Sequence, residues 1–332
     1  NQSNSCYEVM RSEIDRVITF VAPVRIAEER RRSVCEFVKS QVAKVCQNNE
    51  VAVVGSFATK LYLPDSDIDL TAFVDARRGT TWVKDLVAVL VQRGLEDDGK
   101  EDAQHQVRNV TFVNAETKLV KCVINNIQVD ITDNKVNNVL AASFLLALDK
   151  HIGNNHLLAR SILLIKAWCR YDAVGFVQEP LLGSDKSRLS SYALATMVLY
   201  IFNRFTISHP LDALAHFFTY FKDFNWKRRV LSIFGPIDNA NTNNSAPAPA
   251  HTNTNININT SSSGPVESIS FAAALQSCKF TPLLPVNIVE RYHRMMKECK
   301  VTAAGKLSAP QDATQRFQTR HVNLLDPLDD NN

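Results

Sequence analysis

The chain has 332 residues, of which 45% are hydrophobic and 21% charged. That is enough for two domains of ordinary size with buried cores, and it excludes a wholly disordered chain. Its formal charge, 37 basic against 34 acidic side chains or +3, permits a nucleic-acid partner without demanding one. The longest apolar stretch, around Val139–Leu148, falls far short of the roughly 20 residues of a membrane span, so no membrane partner is expected.

The first 45 residues read as helices. Val9, Ile14, Val17, Ile18 and Val21 recur at helical spacing, and Pro23 separates two segments. Val51–Val54 is a β-branched run that ends in Gly55-Ser56, a buried strand entering a tight turn. Ile68, Leu70, Ala72 and Val74 alternate as a second strand, and Trp82–Arg93 reads as a helix. Val107–Val113, Lys118–Ile124 and Ile127–Thr132 are three strand-like runs joined by Asn-rich turns, an antiparallel meander. Together these runs predict an α/β domain around a mixed five-stranded sheet.

After Asn138 the pattern is almost purely helical, with long apolar faces over Val139–Lys150, Leu157–Tyr171, Ser191–Phe205 and Leu211–Phe221, and again over Ile288–Lys297. An Asn/Thr/Ala/Pro tract at about 238–264 interrupts it and reads as a disordered insertion. The expected organisation is an N-terminal helical segment (1–45) packing on the helical domain, an α/β domain (46–136) and an all-α domain (137–332). The seven cysteines (Cys6, Cys35, Cys46, Cys122, Cys169, Cys278 and Cys299) form no C-x-x-C pair. They suit a reducing, intracellular compartment: cytoplasm or nucleus first, mitochondrion as the alternative. The sequence opens at Asn1 rather than Met, which leaves room for a preceding segment, a targeting peptide included.

The chemistry concentrates in Gly55–Leu70. Asp67 and Asp69 are two apart on a strand, so their carboxylates point to one face and repel unless a cation lies between them. A hard divalent ion suits that oxygen pair. Asp130, between Val129 and Ile131 on a later strand, can complete a three-acid site for in-line displacement at phosphorus if its strand lies beside the first. At Gly55-Ser56 the glycine lets backbone approach a phosphate while the serine hydroxyl and amides donate to it. Each piece alone is commonplace, a solvated D-x-D or an ordinary turn. Their combination in this order is selective.

In these runs the chain resembles the DNA-polymerase-β-type nucleotidyltransferases, and within them the template-independent poly(A) polymerases and terminal uridylyltransferases. The matching stretches are Gly55-Ser56, Leu63–Thr71, Val120–Cys122, Val129–Ile131 and Leu164–Cys169. Phe224–Trp226, Leu231–Pro236 and His321–Pro327 also match helical-domain stretches of these enzymes.

The resemblance implies a small catalytic domain followed by a helical domain. Asp67, Asp69 and Asp130 would bind Mg²⁺ or Mn²⁺, and Asp130 would help to activate the primer 3′-hydroxyl. Lys166 and Arg170, four apart on one helix face, would reach the triphosphate; the plainer alternative is that Lys166 snorkels from an apolar helix. Ser191 would donate to phosphate and Tyr192 would stack on the base; the plainer alternative is an N-cap serine followed by a core tyrosine. The implied partners are a nucleoside triphosphate and a single-stranded RNA 3′ end, with substrate choice resting on a partner protein or on flanking sequence. Ala141 and Ala142 stand where many uridylyltransferases carry a polar pair, which favours ATP over UTP.

Two other readings compete. One is a catalytically inactive scaffold or RNA-binding protein with this fold, which the retention of Gly55, Ser56 and all three acids opposes. The other is an oligoadenylate- or cyclic-dinucleotide-type enzyme, which the lack of a long basic face opposes. Of the two basic runs, Glu29–Arg32 reads as a solvated helix face and Lys227–Arg229 as a stretch able to touch an RNA backbone. No coiled-coil pattern specifies an oligomeric state.

Overall fold

The structure, a computed structural model, describes residues 2–46, 50–97, 104–114, 118–172, 180–183, 188–226, 228–238, 284, 286–298, 300–301 and 307–308. The chain divides into two compact units. One comprises Asn1–Val21 with His151–Val286, and the other Ala22–Lys150 with Asn287–Asn332.

The second unit is built on a mixed five-stranded sheet. Its strands are β1 (Glu50–Val54), β2 (Ile68–Phe73), β3 (Val107–Asn114), β4 (Lys118–Ile124) and β5 (Ile127–Asp133), in the spatial order β1-β2-β5-β4-β3. Only β2 and β5 run parallel; the other neighbours are antiparallel. Helices α1 (Gln2–Val21) and α2 (Arg25–Val45) flank Pro23, a four-residue turn of helix α3 (Gly55–Ala58) follows β1, and α4 (Thr81–Asp97) joins β2 to β3.

Alternation puts Ile68, Leu70 and Ala72 of β2, Val120, Cys122 and Ile124 of β4, and Val129 and Ile131 of β5 into one core. Val34, Phe37, Val38 and Val42 of α2 and Trp82, Val83, Leu86 and Leu90 of α4 complete it. This packing explains a departure from the expected organisation: α2 groups with the sheet, and only α1 groups with the later helices. The boundary expected near 136 also shifts, since α5 (Val136–Ile152) counts with the sheet as far as Lys150. Phe144 of α5 meets Tyr292 of the last helix within that unit, with ring centroids 5.5 Å apart.

The first unit gathers α1 with α6 (Leu157–Ala167), α7 (Ser191–Arg204) and α8 (Pro210–Phe221). Asp15 of α1 accepts from Arg160 at 3.4 Å and meets His209 at 3.3 Å, and Tyr7 donates to Asp212. Sequence patterning reads the chain after Asn138 as nearly all helix, but β6 (Arg229–Ser232) and β7 (Gly235–Asp238) form a hairpin there. The buried Asn203 of α7 donates to Ile233 O at 2.7 Å and fixes that hairpin's turn. The last elements are α9 (Val286–Glu298) and the short β8 (Lys300–Val301) and β9 (Leu307–Ser308). The Asn-rich tract beyond residue 238, His321–Pro327, Cys278 and Cys299 lie outside the described residues. Among the described residues no helix is long and apolar enough to cross a membrane.

Candidate functional site

Strand period places the site on the sheet face opposite the core. Ile68 and Leu70 are fully buried, so Asp69 between them points the other way; Asp130, between the buried Val129 and Ile131, does the same. The parallel register of β2 and β5 sets Asp69 directly beside Asp130, which is the adjacency the sequence argument required. Two side chains hold that pairing: Thr132 Oγ1 donates to Leu70 O at 3.1 Å, and Asn134 clasps Val74 through both its Oδ1 (3.0 Å) and its Nδ2 (3.2 Å).

Asp67 lies just before β2, and it joins Asp69 and Asp130 in a cluster whose carboxylate oxygens lie within 4.8 Å of one another. It is the one such group of acidic, histidine or cysteine ligands among the described residues.

Gly55 is fixed by this cluster. Its φ is +66°, and a Cβ built on it would lie 2.1 Å from Asp69 Oδ2. Only glycine lets the β1–α3 turn pass that close to the carboxylate. Ser56 follows at the start of α3, half-buried, and its carbonyl accepts from Leu61 N at 2.9 Å.

Two cations beside the acids escaped the sequence reading. Lys121 on β4 pairs with Asp130 in register, and its Nζ donates to Asp130 Oδ2 at 2.7 Å. Arg31, read from sequence as part of a solvated face, is only 4% exposed. Its guanidinium donates to the main-chain carbonyls of Pro64, Ser66 and Asp67. Burial lowers its pKa, against the opposing pull of Tyr62, Asp67 and Glu28. Arg30 and Arg32 on the same run are exposed, as expected.

The donor set fits a hard divalent cation. It is all oxygen, carries three carboxylates against the ammonium of Lys121 at one Asp130 oxygen, and has the close oxygen spacing that one or two Mg²⁺-sized ions need.

The four remaining candidates belong to the other unit. Lys166 is 6% exposed in the last turn of α6. Arg170 does not continue that α-helix: it lies on a π-helical turn, Trp168–Asp172, so the expected α-helical stacking of the two cations is replaced by a wider turn. At the start of α7 the N-cap is Ser190, whose hydroxyl accepts from Ala193 N at 3.1 Å. Ser191 is exposed, and Tyr192 is 46% exposed rather than a core residue. Crowding around its ring still raises the Tyr192 hydroxyl pKa above the ordinary value.

Comparison with known proteins agrees with this architecture. Residues 10–148 match the model of the central palm domain of mitochondrial-like poly(A) RNA polymerase, and residues 152–263 that of the PAP/OAS1 substrate-binding domain. Among curated relatives, the poly(A) RNA polymerase CID14 of Cryptococcus neoformans is 29% identical over 42% of this chain and 18% of its own length. Poly(A) RNA polymerase gld-4 of Caenorhabditis elegans is 25% identical over 60% of this chain and 22% of its own. The chain thus spans about a fifth of these relatives.

Among solved structures, the Cid1 poly(U) polymerase with bound MgGTP superposes with a TM-score of 0.56 at 17% identity, covering 70% of this chain and 80% of that one. Its complex with the UTP analogue UMPNPP gives a TM-score of 0.55 at 15% identity, with coverage of 70% and 79%. At such identity the likeness is one of fold.

Proposed function

We propose that this chain, which belongs to the DNA-polymerase-β-type nucleotidyltransferase superfamily and to its poly(A) polymerase and terminal uridylyltransferase branch, adds nucleoside monophosphates to RNA 3′ ends without a template. The observation that carries the reading is the in-register pairing of Asp69 with Asp130 on parallel strands, with Asp67 completing an oxygen cluster within 4.8 Å beside a turn that only glycine can make.

Asp67, Asp69 and Asp130 would hold Mg²⁺ or Mn²⁺. Such an ion, when bound, supplies positive charge at the transferred phosphoryl group and acidifies the attacking hydroxyl. The rest is the work of this chain's own groups. Asp130 orients the primer 3′-hydroxyl, and the Gly55-Ser56 turn presents amides and a hydroxyl to phosphate oxygens. Lys166, Arg170, Ser191 and Tyr192 are the nucleotide contacts that the family resemblance implies. The 3′-hydroxyl gives up its proton to solvent as its oxygen bonds to the α-phosphorus, and pyrophosphate departs with the electrons of the broken P–O bond.

ATP is the preferred donor in this reading. Its support is Ala141 and Ala142 on α5, where Ala142 is buried at 6% exposure and neither side chain can hydrogen-bond a ribose. The names of the curated relatives point the same way. The compartment we propose is intracellular, cytoplasm or nucleus before mitochondrion, on the strength of seven cysteines without a C-x-x-C pair.

The test is extension of a 5′-labelled single-stranded RNA with Mg²⁺ or Mn²⁺ and each ribonucleoside triphosphate in turn, beside the Asp67→Ala/Asp69→Ala double variant. A ladder with ATP that the double variant lacks is the expected result. A ladder with UTP alone would reassign the donor. Folded protein that extends RNA with none of the four, or a double variant that extends as well as the parent, overturns the reading.

A further inference from the structure

Helix α2 grips the segment that delivers Asp67 through two buried charged side chains one turn apart. Arg31 lies 4.5 Å over the Tyr62 ring, and its guanidinium donates to the carbonyls of Ser66 at 2.6 Å, Asp67 at 3.3 Å and Pro64 at 3.4 Å. Three positions earlier, Glu28 pairs with Lys60, both 7% exposed. Lys60 has a φ of +60°, in the left-handed region that a long side chain rarely adopts. The same helix face therefore holds the segment at its left-handed start and again at its end, immediately before the first acid.

Stability alone does not account for this arrangement. Of the three residues whose carbonyls Arg31 holds, Pro64 is exposed and Ser66 and Asp67 are only half-buried, so none needs a buried donor, whereas burying a guanidinium is expensive. A planar fork with donors in fixed directions, unlike a point-charge ammonium, dictates where several carbonyls lie at once.

We propose that Arg31 is a positioning residue for nucleotidyl transfer: by fixing the carbonyls of Pro64, Ser66 and Asp67 it sets the place of the Asp67 carboxylate against Asp69 and Asp130, and so the affinity of the site for its divalent cation. The inference rests on the reading of those three acids as metal ligands. Partners behind a metal ligand typically govern affinity by about 10–100-fold.

The experiment measures Mn²⁺ binding to the whole chain by electron paramagnetic resonance for the parent, Asp67→Asn, Arg31→Lys and Arg31→Gln, with thermal melting of each. The Mg²⁺ dependence of RNA extension is followed alongside. The expected result is Mn²⁺ binding by the parent and its loss in Asp67→Asn. Arg31→Lys should be folded with a Kd raised about tenfold or more, and extra Mg²⁺ should return its extension rate towards the parent's. A merely structural arginine would lower melting without moving the metal constant. The proposal is overturned by a folded Arg31 variant with the parent's Kd, or by both variants failing to fold. Absence of Mn²⁺ binding in the parent would instead overturn the reading of the acids on which it rests.

Discussion

Replacing Gly55 by alanine tests whether the turn after β1 exists to approach the acids. Two costs follow from the geometry. At a φ of +66° an alanine pays about 1–2 kcal/mol of backbone strain. The new Cβ would also stand 2.1 Å from Asp69 Oδ2 and 2.9 Å from its Cγ, where ordinary contact needs about 3.4 Å, so the carboxylate must retreat by about 1 Å. Displacement of a reacting group on that scale costs about a hundredfold in rate.

Gly153→Ala separates the two effects, because Gly153 has the same φ of +66° with nothing within 4 Å of its would-be Cβ. Urea denaturation should show a similar loss of about 1–2 kcal/mol for each variant. Single-turnover RNA extension should fall about a hundredfold for Gly55→Ala and stay within about twofold for Gly153→Ala. Gly55→Ala extending RNA within threefold of the parent would refute the reasoning.

Three further outcomes are expected. Lys121→Met removes the ammonium 2.7 Å from Asp130 Oδ2, which competes with a cation for that oxygen; Mn²⁺ titration should show tighter binding, by about fivefold for a coupling of about 1 kcal/mol. At Asp212 burial favours the protonated acid, but hydrogen bonds from Tyr7, Ser208 and His209 outweigh it and lower the pKa. A lowered folded-state pKa stabilises fully above the ordinary value of about 3.9 and is lost as pH falls through the folded value. The deficit of Asp212→Asn, about 1 kcal/mol at pH 7 by urea denaturation, should therefore shrink steadily below about pH 4. Burial pushes the Cys35, Cys122 and Cys169 thiols up to about 12, while Cys6 is exposed. Iodoacetamide at pH 8 followed by peptide mass mapping should label Cys6 in the folded protein and spare those three.

Much of the site was legible in the sequence because short-range geometry decides it. Two-residue alternation forces Asp69 and Asp130 away from a core of valine, isoleucine and leucine, and turn residues delimit the three meander strands. Lys121 was within reach of the same logic. The hairpin with Asn125-Asn126 at its turn pairs Ile124 with Ile127, and counting three residues back along each strand pairs Lys121 with Asp130.

Arg31 was also encoded, as it stands three, four and seven residues before the buried Val34, Cys35 and Val38 and so shares their helix face. Its place inside a run of charges hid it, since charge normally predicts exposure. Other features depend on contacts that no local pattern records. The π-helical turn that carries Arg170 is one. The β6–β7 hairpin held by Asn203 is another, and so is the grouping of α1 and α2 with different units.

The most direct test of the central claim is a crystal of the chain grown with Mn²⁺ and a non-hydrolysable ATP analogue, with data collected for anomalous scattering. The account predicts manganese peaks at about 2.1 Å from carboxylate oxygens of Asp67, Asp69 and Asp130. Manganese bound elsewhere, with those three acids making no contact to it, would contradict the account.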